Sequence, residues 1–195
     1  YGLRVTADGS IQLDGVQANQ NHLYGAWLQA GSNVSVNNSS FSANTFTRSN
    51  SLQVGYGLKI IGGGFVSLAG IQASNNRLFG ADVQAVGDVS IATASFSGHD
   101  LYTCSTNYEC GGCTPYGYGL KVVTRGDIYL YGVTAEANVL YGAYLKTNGS
   151  VYITSSNFNR NAYSLGRTRD GYGLQVISGA NVWLWDVQAD GNNLF

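Results

Sequence analysis

The 195-residue chain carries few charges, which excludes several functional classes. Charged residues make up 11% of the sequence and the net charge is −1, so the chain lacks the basic surface with which nucleic-acid-binding proteins neutralise phosphates. With 27 glycines, 14 tyrosines, one proline and no methionine, the composition is typical of short strands joined by tight turns, and no apolar run approaches the ~20 residues of a membrane-spanning helix.

A short phrase recurs along the chain, an aromatic residue followed by Gly and then by Leu or Ala. Its copies start 23, 32, 23, 39, 23, 31 and 23 residues apart. Repeats at this spacing indicate one small structural unit that is stacked many times. The aromatic residues of the phrase are Tyr1, Tyr24, Tyr56, Phe79, Tyr118, Tyr141, Tyr172 and Phe195.

Each repeat contains three short segments in which apolar and polar residues alternate, and this period of two predicts β-strands. The even-numbered repeats place a Phe in the third segment, namely Phe41, Phe96 and Phe158. A repeat of 23 residues cannot form a closed sheet alone, so stacked copies must pair with one another. The sequence therefore predicts an all-β fold, a parallel β-helix of about seven rungs with three short strands per rung, in a single domain over residues 1–195.

Two sets of recurring residues are predicted to belong to the scaffold. Glycines at one corner are expected to adopt a left-handed backbone, and asparagines three residues before the next aromatic are expected to stack as an amide ladder. Strand parity places the aromatic of the phrase on the inward side, where its copies should stack. The corner glycines are Gly9, Gly64, Gly87, Gly126 and Gly149, and the asparagines are Asn21, Asn76, Asn138 and Asn192.

The three longest intervals place their additional residues at one edge of the predicted rod, near residues 45–55, 100–117 and 162–171. Loops held side by side on a rigid scaffold often bind ligands, although solenoids also tolerate insertions there at little cost.

The middle insertion contains all three cysteines, Cys104, Cys110 and Cys113. In an oxidising compartment, two of them are expected to form a disulfide and the third to remain free or to pair with another chain. The alternative is a zinc site formed by His99 and the three cysteines, because Cys-x-x-Cys has the spacing of metal ligands. No cofactor is predicted.

Parity also predicts which side chains face outward. In the second strand, outward polar residues of the first four rungs are replaced by aromatic residues in the last three. Such exposed aromatics indicate a partner, either sugar rings that stack on them or another subunit that packs against them. The aromatic platform is defined as Tyr129, Tyr131, Tyr152, Trp183 and Trp185.

In the first strand, two further aromatic residues, Trp27 and Tyr144, share an outward column with charged residues. Cations and aromatics alternate along this column, so cation–π contacts between rungs are expected. Trp27 and Tyr144 are therefore also candidates for an interaction surface. The column reads Arg4, Trp27, Lys59, Asp82, Lys121, Tyr144 and Gln175.

Two carboxylates are the only candidates for catalysis. Asp88 and Asp127 occupy the same outward corner in adjacent rungs, so their side chains are expected to lie ~5 Å apart. That separation suits a retaining glycosidase pair or a calcium site, whereas a solvated corner neutralised by Arg125 is the structural alternative. No Ser-His-Asp arrangement accompanies them, because His22 and His99 are the only histidines and neither lies near a nucleophile motif.

The whole chain resembles the right-handed parallel β-helix of pectin-lyase-like proteins, and most closely the regular repeats of large bacterial surface and adhesin-type proteins. The resemblance rests on the rung pattern Tyr-Gly-Leu, Gly corner, Val/Ile-x-Leu, Val-x-Ala and Asn, and it implies right-handed winding. The polysaccharide-cleaving members imply acid–base carboxylates. Their galacturonase-type patterns Asn-Thr-Asp, Asp-Asp, Gly-His-Gly and Arg-Ile-Lys are absent, and Gly98-His99-Asp100 is the nearest match.

These observations favour a non-enzymatic, extracellular or cell-surface structural or adhesive segment. The chain is interpreted as part of a longer array whose rung edges are covered by neighbouring repeats or by self-association into a filament or surface layer. The alternative is a carbohydrate-active β-helix, that is, a lyase, a hydrolase or a glycan-binding module. A structural or adhesive segment is not expected to be an enzyme, whereas a lyase or a hydrolase would be one.

Overall fold

The computed structural model describes residues 1–45, 55–99, 117–162 and 171–194, together with the backbone of two short strands at 102–104 and 113–115. The described residues form strands and turns without any helix, and most strands belong to two parallel sheets of seven strands each. Within these residues, no helix is long and apolar enough to cross a membrane. The three insertions near 45–55, 100–117 and 162–171 lie mostly outside the described residues.

The first sheet contains, in every rung, the strand that carries the aromatic-Gly phrase. Each strand pairs with the equivalent strands of the rungs before and after it. Its strands are β1 (Leu3–Ala7), β3 (Tyr24–Ala30), β5 (Tyr56–Gly62), β7 (Phe79–Ala85), β11 (Tyr118–Thr124), β13 (Tyr141–Thr147) and β15 (Tyr172–Ser178).

The second sheet contains the strands that follow the glycine corner, and they pair in the same rung order. A separate antiparallel ribbon joins β9 (Tyr102–Cys104) to β10 (Cys113–Pro115). The strands of the second sheet are β2 (Ile11–Asp14), β4 (Val34–Asn37), β6 (Val66–Ala69), β8 (Val89–Ser95), β12 (Ile128–Thr134), β14 (Val151–Asn157) and β16 (Val182–Gln188).

The predicted third strand is short and follows a sharp bend. In the early rungs it consists of isolated bridges, such as those from Ser40 to Gln17 and to Gln72, whereas from β8 onward it mostly continues the second strand. At the bend, one residue per rung has a positive φ, which only Gly adopts without strain. These residues are Gly15, Asn38, Gly70, Thr93, Gly132, Ser155 and Asp186.

The inward side chains form one apolar column between the sheets. Phe41, Phe96 and Phe158 are fully buried in the even-numbered rungs, whereas the odd-numbered rungs place the small Ala73 and Ala135 at this position of the register. The alternation of large and small side chains fills the space between rungs that are ~4.8 Å apart. The predicted core is therefore confirmed.

The amide ladder is present and longer than predicted. The backbone N–H of Asn138 donates to Asn161 Oδ1 at 3.0 Å. His99 takes one position of the ladder, because the Asn76 N–H donates to His99 Nδ1 at 3.1 Å and the His99 N–H donates to Asn138 Oδ1 at 3.2 Å. The full ladder is Asn21, Asn44, Asn76, His99, Asn138, Asn161 and Asn192.

Three members of the ladder, Asn44, His99 and Asn161, are missing from the sequence prediction because an insertion separates each from the next aromatic residue. A different spacing identifies them. Each follows the buried Phe of its own rung by three residues.

Of the eight aromatic residues of the phrase, Phe195 lies outside the described residues. The other seven stack, with ring centroids of neighbouring rungs 4.8–5.1 Å apart. Their predicted inward orientation is wrong. Gly25 and Ala26 are both buried, which interrupts the alternation, and a Cβ on Gly25 would lie 2.7 Å from Asn44 Nδ2. The Tyr24 ring therefore lies outside the core, 5.4 Å from Trp27.

The predicted left-handed backbone at the corner glycines is also wrong, because the positive φ angles occur at the next bend. Most of these glycines are required by close approach instead. A Cβ on Gly126 would collide with Asp88 Oδ1, and one on Gly149 would collide with Asp127 Oδ1. A side chain of the preceding rung therefore occupies the space at this corner, although Gly9 in the first rung has nothing within 4 Å.

Candidate functional site

Three residues of the aromatic platform form a continuous stack on the outer face of the second sheet. The ring centroids of Tyr129 and Tyr152 are 4.9 Å apart with an interplanar angle of 4°. Those of Tyr152 and Trp183 are 4.5 Å apart at 10°. The three residues are partners in the strand register, so the spacing of the rungs sets the spacing of the rings.

The other two platform residues belong to the same face but not to the stack. Tyr131 and Trp185 lie in the neighbouring column, where Thr154 separates them. Tyr131 is 60% exposed and Trp185 is 76% exposed. The structure therefore brings the five residues onto one surface at the last three rungs.

Stacking within the platform limits where a ligand ring can lie. Both faces of Tyr152 are covered by its two neighbours, and one face each of Tyr129 and Trp183 is covered by Tyr152. A sugar ring cannot enter between rings that are already in contact. Within the described residues, the stack thus offers the face of Tyr129 that is turned toward Ser90 and the outer face of Trp183.

A surface cavity of about 360 Å³ lies in front of this face of Tyr129. It exists because the outward column changes from Ser67 and Ser90 to Tyr129, so that small hydroxyl side chains adjoin a large ring. The cavity combines an aromatic wall with polar groups, as small-molecule sites do. It is lined by Phe65, Val66, Ser67, Asp88, Ser90 and Tyr129.

Asp88 and Asp127 cap the backbone of the rung that follows each of them. Asp88 Oδ1 accepts a hydrogen bond from the Asp127 N–H at 2.8 Å, and Asp127 Oδ1 accepts one from the Ser150 N–H at 2.7 Å. The Tyr129 hydroxyl donates to Asp127 Oδ2 at 3.1 Å, and this bond, followed by burial and nearby charge, raises the pKa of Tyr129. The carboxylates thus hold the corner and orient the Tyr129 ring.

The chemistry predicted for this pair stays a prediction. Arg125 and both carboxylates belong to the described part of the chain, and no ion pair joins the arginine to either of them there. Among the described residues, no group of three or more histidines, cysteines or carboxylates is arranged to hold a metal ion. Each carboxylate already has one oxygen bonded to the scaffold.

On the first sheet, Trp27 and Tyr144 pack against the stacked aromatics of the phrase. Tyr144 meets the ring of Tyr141 edge-on, with centroids 5.7 Å apart at 72°. The predicted cation–π contacts are present, since the Arg4 guanidinium lies 4.9 Å from the Trp27 ring centroid. Trp27 and Tyr144 are half-buried and belong to a different face from the platform.

The same sheet contains a buried ion pair between two residues of the column that was predicted to face outward. Lys59 Nζ lies 2.5 Å from Asp82 Oδ2, and the Asp82 side chain is only 4% exposed. Asp82 Oδ1 is buried and accepts no hydrogen bond from the described residues. Burial, and after it the charge of Asp82, raises the pKa of Tyr56. Removal of either partner would leave an uncompensated buried charge.

His99 is fully buried, and burial lowers its pKa from 6.5 to about 4. Its place in the amide ladder gives it a structural role. The backbone of the ribbon pairs Cys104 with Cys113, but the side chains of both residues and the whole of Cys110 lie outside the described part of the chain. The disulfide and the zinc alternative stay predictions.

Comparisons with known proteins bear on the fold. No protein-family model and no curated protein matches the chain. The chain is similar to the crystal structure of pectate lyase Pel9A, with a TM-score of 0.58 and 17% identity over 95% of this chain and 49% of that chain. It thus spans about half of that structure's length, and at this identity the likeness concerns the fold alone. With the two seven-stranded parallel sheets, it shows that the chain is a right-handed parallel β-helix.

Proposed function

We propose that the protein is a non-enzymatic carbohydrate-binding β-helix that acts outside the cell. One observation carries the proposal, namely the exposed aromatic platform that adjoins a cavity lined by hydroxyl groups and a carboxylate. Aromatic rings provide apolar contact area while the polar groups orient the ligand. The fold-level likeness to a polysaccharide lyase supports the same class of ligand.

Two further observations favour binding over catalysis. Asp88 and Asp127 each bond the backbone of the next rung, and His99 is enclosed in the amide ladder. These residues therefore serve the scaffold. An extracellular setting is favoured by the low content of charged residues and the absence of methionine.

A glycan array tests this function. The protein is expected to retain immobilised polysaccharides, and Tyr129→Ala is expected to weaken retention by about tenfold because an aromatic contact of ~1.5 kcal/mol is removed. Trp27→Ala, on the other sheet, is the matched control and should bind as the wild type does. A parallel ultraviolet assay on soluble polysaccharides should detect no cleavage. Failure to retain any glycan would overturn the proposal, and cleavage would overturn its non-enzymatic part.

A further inference from the structure

We propose that the cavity in front of Tyr129 is a subsite for one neutral pyranose ring, an assignment that rests on the proposed carbohydrate-binding function. It is called the Tyr129 subsite below and consists of the six residues that line the cavity. The inference is more specific than that function, because it assigns the position of binding, limits it to one sugar ring and requires the sugar to be uncharged.

The stacking surface of the subsite is the free face of Tyr129. Tyr152 covers the opposite face at 4.9 Å, so a ligand ring has one possible position on Tyr129, above Ser90. The hydrogen bond from the Tyr129 hydroxyl to Asp127 Oδ2 fixes the ring before a ligand arrives. A preorganised ring lowers the conformational entropy lost on binding.

Ser67, Ser90 and Asp88 supply polar groups to the cavity in which that position lies. The hydroxyls of Ser67 and Ser90 each donate one hydrogen bond and accept others. Asp88 uses Oδ1 for the Asp127 N–H, while its Oδ2 has no hydrogen-bond partner among the described residues. Asp88 therefore still has an acceptor for a ligand hydroxyl, and a charged acceptor makes the stronger kind of hydrogen bond.

The size of the subsite favours a single ring. Its volume of about 360 Å³ is near the lower limit of the ~300–1,000 Å³ typical of small-molecule sites. Phe65, which is 49% exposed, forms the side remote from Tyr129. The rest of a polysaccharide chain would extend beyond these two aromatic residues over the open surface.

The charge of the subsite excludes acidic sugars. Asp88 lines the cavity, and Asp127 is bonded to the Tyr129 hydroxyl that borders it. Arg125 lies exposed at the same corner but pairs with neither carboxylate within the described residues. A uronate would bring a third carboxylate close to two others, and juxtaposed like charges are unfavourable. Neutral pyranoses fit, although the fold neighbour is a pectate lyase.

Ser90→Trp tests the location. It continues the stack of Tyr129, Tyr152 and Trp183 by one rung and so covers the free face of Tyr129, and Ser90 is exposed, so the fold should be kept. Calorimetric titration with cellohexaose, mannohexaose and hexagalacturonate is expected to show binding of a neutral hexaose that weakens at least about tenfold in the variant. Gln12→Trp, exposed in the same column at the first rung, is the control and should bind normally. Circular dichroism of both variants checks the fold.

The outcomes separate this inference from the proposed function. Neutral binding that is lost in Ser90→Trp and kept in Gln12→Trp supports the subsite. Binding that survives in Ser90→Trp overturns the subsite and leaves the carbohydrate-binding function standing. Failure of the wild type to bind any glycan, in this titration and on the array, overturns both. Tighter binding of hexagalacturonate than of either neutral hexaose overturns the assignment of the charge class.

Asp88→Asn tests the electrostatic part separately. The variant keeps an Oδ1 acceptor for the Asp127 N–H and removes one negative charge. The ratio of neutral to uronate affinity is expected to fall at least about fivefold, because one of the two repelling charges is absent. A ratio that does not change would overturn the electrostatic argument.

Discussion

Gly119→Ala is expected to lower the free energy of unfolding by about 3 kcal/mol, near the upper end of the cost of overpacking. The new Cβ would lie 2.5 Å from Gly142 O, 2.6 Å from Asn138 Nδ2 and 2.6 Å from Phe96 O. Two of these are backbone atoms of other rungs, and the third belongs to a buried member of the amide ladder. No flexible side chain is available to move away. Urea denaturation followed by circular dichroism measures the change.

Gly9→Ala is the matched control for this variant. Gly9 also recurs in the repeat, at the corner instead of in the aromatic-Gly phrase, and its Cβ would have nothing within 4 Å. Its substitution should change the free energy of unfolding by less than about 0.5 kcal/mol. Equal denaturation midpoints for the two variants would show that the contacts of Gly119 with the neighbouring rungs do not limit the stability of the β-helix.

His99 is expected to make the fold sensitive to acid. Its pKa is 6.5 when exposed and about 4 in the buried ladder, so below pH 6.5 the unfolded chain binds the proton more readily than the folded one. The contribution of neutral His99 to the free energy of unfolding is therefore fully present above pH 6.5 and is lost as the pH falls toward 4. The gap between the two pKa values corresponds to a loss of about 3 kcal/mol, at 1.36 kcal/mol for each unit.

His99→Asn isolates this effect, because an asparagine supplies the Oδ1 acceptor that the other ladder positions use. Between pH 7 and pH 4, the wild type should lose about 3 kcal/mol more than the variant, while the titration of carboxylates affects both proteins alike. An identical pH dependence of the wild type and His99→Asn would contradict the burial of a neutral imidazole.

The repeating part of the fold could be predicted because it depends on local periodicity. Alternation within each segment identified the buried Phe41, Phe96 and Phe158 and the outward column that ends in Tyr129, Tyr152 and Trp183. The same rule failed at the phrase, where Gly25 and Ala26 both face inward. Strict alternation of inward and outward residues cannot predict a backbone in which two successive residues face inward.

The remaining features depend on contacts between rungs. The order of residues within one rung does not predict these contacts. Asp82 was predicted to face outward, yet it is buried against Lys59 from the preceding rung of the same sheet. Asp88 and Asp127 were compared with each other as a pair of side chains. The structure shows instead that each caps the backbone of the next rung. The partner atoms lie 23 or 39 residues away in sequence.

The ladder that contains His99 tolerates returns of very different length. Asn138 lies 39 residues from His99, whereas Asn161 lies 23 residues from Asn138, and both steps end in the same kind of hydrogen bond. Loop-closure entropy grows only with the logarithm of loop length, so the longer return costs about 0.5 kcal/mol more than the shorter one. New segments can therefore be inserted at this edge almost without a thermodynamic penalty, and the β-helix can acquire new loops without any change to the rungs beneath them.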